Sequence, residues 1–298
     1  MKKAALTILL VSLFLLSEAQ NEKLSKIVVS DVFVSTGYIA SDYEFELEDF
    51  RLLSPGSGFI KNDFSAYEKG RGGYSDDNGI FSMQLGLSIR DRDGKSIRHN
   101  PILKIGFSWL VGNQNGPAYN FTSKTRIDTL ISSNGMHQIF LDSTYSSSIY
   151  MAYKYQNLLA DASLVYSTDS KRRFSFFGGI GLAAGISIKA KTVSNKIDYS
   201  RYFYSKTDDY LGSYYDNYFF NQPSDDYMTK NRNNFLAQIS FPMGFQFRLS
   251  KKLEVLKDIH LTYSFTPGLS FIKIPEIGSY LSGSSIWSFG LKFNVKPN

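Results

Sequence analysis

The sequence predicts an all-β protein: an antiparallel up-and-down transmembrane β-barrel of about eight strands, with ten possible. Three observations lead there. Apolar and polar side chains alternate with period two over runs well past ten residues, whereas soluble strands usually run about 5–6 and a tilted membrane-crossing strand takes about 9–11. The non-apolar face is Gly, Ser, Thr and Gln with few charges, which suits the crowded inside of a narrow barrel better than bulk solvent. Short and long connections alternate, as they do when short turns face the periplasm and long loops face outward.

Composition agrees. The 298 residues are 43% hydrophobic and include 20 Tyr and 24 Phe. Mean hydropathy is −0.20, too low for a helical membrane protein. The formal charge of +6 comes from scattered basic residues, so no nucleic-acid surface is expected. With no cysteine, a disulfide framework, a thiolate nucleophile and a lipidated cysteine are all excluded. The first residues read as a cleaved signal peptide over 1–19: Lys2 and Lys3, an apolar run Ala4–Leu16, then Ser17-Glu18-Ala19 before Gln20. The barrel domain then occupies 20–298, and an outer-membrane location follows as the expectation.

Strands are expected near 28–40, 79–90, 101–112, 150–167, 174–190, 235–249, 259–272 and 285–296. In the second, Phe81, Met83, Leu85, Leu87 and Ile89 face lipid while Ser82, Gln84, Gly86 and Ser88 face inward. In the third, Leu103, Ile105, Phe107, Trp109 and Val111 face lipid. The fourth changes phase after Met151, Tyr153 and Tyr155, resuming at Leu158, and a bulge near Gln156-Asn157 is expected. The segments 125–130 and 138–141 flank the turn Ser133-Asn134-Gly135 and predict a hairpin standing above the membrane; entry of both into the wall would give ten strands. Pro242 and Pro267 lie inside strands, and each should mark a bulge or a break in pairing. Long loops are expected at 41–78, 113–149 and 191–234, with a shorter one at 273–284.

The last strand resembles the carboxy-terminal β-signal of outer-membrane barrels, with Ser288, Gly290, Phe293 and Val295 in the signal positions and Trp287 and Phe289 outside. The commonest form of that signal ends on Phe, whereas Lys296-Pro297-Asn298 follow here. The resemblance implies recognition by the outer-membrane assembly machinery. Together with the leader and the stretch Lys171–Gly181, it makes most of the mature chain similar to the small outer-membrane barrels frequent in Bacteroidetes. That family includes accessory barrels of a secretion and gliding apparatus.

No constellation of residues reads as an active site. Gly179, Gly181 and Gly185 mimic a dinucleotide fingerprint, but they alternate along a strand instead of turning into a helix. His99, His137 and His260 lack a plausible nucleophile beside them. Asp208-Asp209 and Asp225-Asp226 lack the spacing of a calcium loop, and no metal or cofactor is expected. Asp31, Arg90, Lys104, Asp161, Lys189, Arg248, His260 and Lys292 are expected inside as a polar network. Tyr202, Tyr204, Tyr210, Tyr214, Tyr215 and Tyr218 form the candidate binding surface in the loop 191–234. The acidic stretch Asp42, Glu44, Glu46, Glu48 and Asp49 reads as a solvated loop. The functional expectation is a non-enzymatic barrel whose loops bind a surface partner or support the envelope. A narrow channel and an accessory barrel of a secretion apparatus stand as alternatives.

Overall fold

In a computed structural model, residues 27–41, 43–70, 78–89, 101–131, 138–168, 172–206, 218–221, 225–250, 253 and 256–295 are described. The expected leader lies outside them, as do Arg90, His99, His137, Tyr210, Tyr214, Tyr215 and the Asp208-Asp209 pair.

Eight antiparallel paths close into a ring. They are β1 (Ile27–Ser41), β2 (Gly79–Ile89), β3 (Ile102–Asn115 continued by Ala118–Ile131), β4 (Gln138–Ser167), β5 (Phe174–Lys206), β6, β7 (Ile259–Ile274) and β8 (Gly278–Asn294). Path β6 descends in four segments, Tyr218–Asn221, Asp225–Lys230, Phe235–Ser240 and Met243–Arg248. Each path pairs with its sequence neighbours, and β1 also pairs with β8 from Asp31↔Asn294 to Ser41↔Ser284. A closed ring leaves no free edge around the barrel, so every backbone polar group of the wall can be bonded within it.

The breaks fall where a donor is missing. Register is unchanged across Phe241-Pro242, since Gly181 pairs with Ser240 and Gly178 with Met243. Phe241 N–H still donates to the Pro267 carbonyl at 2.8 Å, and Gly179 N–H to the Pro242 carbonyl at 2.9 Å. Both prolines therefore share one interruption of the ladder, because neither can supply the return bond. Path β3 breaks at Gly116-Pro117 with a one-residue slip in register and resumes along β4, from Asn115↔Ala152 to Tyr119↔Ile149.

This continuity decides between eight and ten strands. The segments 125–130 and 138–141 pair with one another as the expected hairpin, and as the upper ends of β3 and β4 they add no strands to the ring. The expected loops 113–149 and 191–234 are mostly strand, with β4 running 30 residues and β5 running 33. The 273–284 loop shrinks to a tight turn between Ile274 and Gly278, whose φ of 107° glycine accommodates without strain. At about 3.3 Å per residue β5 is about 110 Å long, whereas β1 and β2 have 15 and 11 residues. Half of the circumference, β3 to β6, therefore rises as a tall curved sheet beyond the rest of the ring.

The bulge exists, but on β5. Gln156 pairs with Lys189 and Asn157 with Ser187, leaving Ile188 extra. The alternation of β4 is unbroken: Met151, Tyr153, Tyr155, Asn157 and Leu159 are all buried on one inward face. What changes along β4 is the filling, apolar above and polar below, and that change imitates a phase slip in the sequence. The slip on β5 leaves Ile188 and Lys189 both exposed, with Ala190 buried behind them. Lys189 consequently points outward, and its expected place in the interior is corrected.

Candidate functional site: the filled barrel and its tall wall

The exterior of the ring carries a belt of exposed apolar side chains. On β5 these are Phe174, Phe176, Ile180, Leu182, Ile186 and Ile188, and neighbouring strands add Ile105, Phe107, Trp109, Leu261, Leu269 and Phe289. Toward the short-turn end, aromatic rings step from strand to strand. Phe174 lies 5.2 Å from Phe247, Phe245 lies 5.4 Å from Tyr263, and Tyr263 lies 4.9 Å from Phe289. An apolar band bordered by an aromatic girdle is the exterior of a lipid-embedded barrel, and soluble monomers rarely expose large contiguous apolar surfaces.

Inside, three layers stack. The lowest holds most of the expected polar network. Asp31 and Lys292 are both buried and pair at 3.2 Å across the β1–β8 closure. Ser30 Oγ donates to Asp31 at 2.6 Å. Lys104 is buried with its ammonium 4.0 Å above the Phe33 ring, a placement that offsets part of its lost hydration. Arg248 Nε donates to His260 Nε2 at 3.4 Å, and Lys292 donates to Gln246 at 3.4 Å.

The middle layer is a chamber of about 130 Å³ among Gln84, Ser108, Asp161, Ser264 and Ser288. That is room for about four waters at about 30 Å³ each. Asp161 accepts from Ser108 Oγ at 2.6 Å and also from Gln84. The glycines of the false fingerprint line the wall nearby. A Cβ at Gly179 or Gly185 would lie 2.1 or 1.9 Å from a backbone carbonyl of β4, so close strand approach accounts for both.

The upper layer is a plug that sequence reasoning missed. Residues 43–67 fold into the mouth around a short helix α1 (Leu47–Leu53). Glu46 and Asp49 start the helix as a capping box, with the Glu46 N–H donating to Asp49 at 2.9 Å. Tyr43, Phe45, Phe50, Leu53, Ile60 and Phe64 enter one apolar core with Tyr153, Tyr155 and Met151 of the wall. Of the acidic stretch, Glu44, Glu46 and Glu48 stay exposed while the aromatic residues between them turn inward. The reading of a solvated loop thus holds for the carboxylates and fails for the backbone; Tyr43-x-Phe45 alternation was the available signal.

Polar contacts fix the plug's position. Tyr43 donates to Ser270 at 2.7 Å, and burial pushes its hydroxyl above the ordinary tyrosine range although the bond to Ser270 opposes the shift. Asn231 Nδ2 reaches the Leu53 carbonyl at 2.8 Å, and Ser54 Oγ lies 2.8 Å from Thr229 Oγ1. At the rim Lys69 donates to Glu46 at 3.0 Å, and this bond and charge hold the ammonium above its usual range.

Of the tyrosines of the candidate surface, Tyr202, Tyr204 and Tyr218 lie among the described residues. Tyr202 lies on β5 opposite Tyr218 of β6, and Tyr204 lies on β5 opposite Leu141. These residues belong to the tall sheet rather than to a loop. The β-signal positions Ser288, Gly290 and Phe293 lie on β8, with Val295 just past its end.

No known protein family matches the sequence, and no curated protein does. Among solved structures the chain is similar to Neisserial surface protein A, at 10% identity over 91% of this chain and 99% of that one, with a TM-score of 0.29. It is also similar to Ail, the attachment invasion locus protein of Yersinia pestis, at 9% identity over 90% and 100% of the two chains, with a TM-score of 0.23. At such scores the likeness carries no argument, and the barrel stands on its own strand pairings.

Proposed function

We propose that the chain is an integral outer-membrane barrel without catalytic function, its interior filled, whose tall half-wall is a contact surface for a partner outside the cell. The observation that carries this reading is the length of β3 to β6. A crossing needs about 9–11 residues, so about two thirds of β5 serves something other than spanning. Its upper part is paired with β4 up to Lys206 and carries Tyr199 and Tyr202 above the belt. Tyrosine supplies large contact area at low entropic cost. The plug argues against the channel alternative. The resemblance to Bacteroidetes barrels remains one of pattern, and the secretion-accessory alternative predicts co-purification with large partners.

The test shortens both tall hairpins, joining β3 to β4 below residue 125 and β5 to β6 below residue 197. The shortened protein should still reach the outer membrane and still change gel mobility on heating. It should lose the surface cross-links that the full chain forms on whole cells. An unchanged cross-linking pattern would overturn the proposal.

A further inference from the structure

We propose that the chamber between the plug and the lowest layer binds a small zwitterion, glycine or alanine in size, with its carboxylate on Lys104 and its ammonium on Asp161. The inference adds a ligand to the interior and rests on the reading of the chain as a barrel.

The register opens the space. Lys104 of β3 pairs with Gly86 and Ser163, and Asp161 of β4 pairs with Gly106 and Ala183. These positions share the inward face, so two charged side chains stand among residues too small to fill the ring beside them. The two are diagonal neighbours on adjacent strands, a separation that long side chains can cross. They form no ion pair. Lys104 is 8% exposed, and its ammonium lies over two ring faces, Phe33 at 4.0 Å and Phe177 at 5.0 Å. Among the described residues no oxygen accepts a hydrogen bond from it. Asp31, in the same layer, engages Lys292 at 3.2 Å. Asp161 accepts from two neutral groups, Ser108 and Gln84. Ring faces offset only part of the cost of burying an ammonium, so Lys104 calls for an acceptor that the wall does not supply.

Charge complementarity selects the occupant. Lys104 and Asp161 both line the chamber. A lone anion on Lys104 would face the Asp161 carboxylate, and a lone cation on Asp161 would face the Lys104 ammonium. A molecule carrying both charges satisfies each end, and charge-assisted bonds are strongest where water is scarce. The volume of about 130 Å³ sets the size: it admits glycine or alanine and excludes amino acids with long side chains. Hydroxyls complete the lining. Ser264 and Ser288 share one hydrogen bond at 2.6 Å, so one of their two protons remains to donate to a carboxylate. Ile80, Leu159 and Ile286 add an apolar contact for the ligand's carbon. The plug lies above the chamber, so a molecule captured there exchanges slowly.

The experiment refolds the full chain from denaturant into neutral detergent micelles with radiolabelled glycine, then removes free label on a desalting column. The readout is label retained per folded barrel, with the heat-resistant gel band as the measure of folding. The parent should retain glycine and release it on boiling. Unlabelled alanine should compete during refolding. Acetate and methylammonium, which carry one charge each, should not, and neither should leucine, which carries both but is too large. Lys104→Met and Asp161→Asn should each weaken retention roughly tenfold or more, the loss of one charge-assisted bond. The competition series on the parent decides the matter if either variant fails to fold. A folded parent that retains no glycine means that the chamber holds only water and overturns the site. Competition by acetate as strong as by alanine, or retention undiminished in both folded variants, also overturns it, and each leaves the barrel intact. A chain with no heat-resistant band overturns the barrel reading and the site together.

Discussion

Asp31 and Lys292 show what a single buried pair contributes to closing a barrel. Their side chains are 5% and 2% exposed, so solvent screens the pair little. Lys104 lies in the same layer, over Phe33, and the ammonium of Lys292 is 5.7 Å from that same ring. The layer thus holds two buried ammonium groups next to one paired carboxylate. Replacing Asp31 by Asn removes that negative charge and leaves the cations buried, a change that costs about 3–5 kcal/mol when one partner of a buried pair is lost. Asp31→Asn should therefore lower the temperature of the gel-mobility transition markedly. Asp31→Leu combined with Lys292→Met should recover part of the loss, because an apolar pair of similar volume needs no compensating charge. If Asp31→Asn melted like the parent, the pair would contribute nothing to closure.

At the scale of the element, legibility followed chemistry. Wherever one strand face met lipid and the other the interior, the sequence alternated and the strand was readable, as at β2, where Phe81, Met83 and Leu85 are exposed and Gly86 and Ser88 buried. The upper parts of β3 to β6 escaped notice because no lipid imposes an apolar face there; Thr125, Asp128, Ser143 and Ser147 pair as well as valines would. The plug is hidden in the sequence because its buried Tyr43 and Phe45 alternate with the exposed Glu44 and Glu46, a pattern that a solvated acidic loop shares. The irregularity falls at Gln156-Asn157, where the sequence places it, but the extra residue is Ile188 on the facing strand, because the two strands share the slip. Gly290 brings the two kinds of reading together. Sequence gave it a place in an assembly signal, and the structure adds a steric reason: a Cβ there would lie 2.5 Å from the Val34 carbonyl and 2.7 Å from the Ser35 side chain, at the β1–β8 seam. Gly290→Val should prevent closure both in cells and on refolding into detergent. Refolding as well as the parent while failing only in cells would assign the glycine to recognition by the assembly machinery instead.

For the whole molecule, the question is whether a ring of eight strands conducts. Strand number sets the width, and eight strands give an interior that side chains can fill. Two closures lie in series along the axis of this barrel. The upper is the plug around Phe50, Leu53 and Ile60, each at most 1% exposed; the lower is the layer of Asp31, Lys104, Arg248, His260 and Lys292. Between them lies the chamber of about 130 Å³. The full chain should therefore hold a planar bilayer closed. Deleting residues 44–64 removes only the upper closure, and the lower layer, built from wall residues, should keep the current at baseline. Unitary currents from the full chain would contradict this arrangement. Currents appearing only after the deletion would show that the lower layer leaks and that the plug is the gate, which would move the functional reading from a contact surface toward a regulated pore.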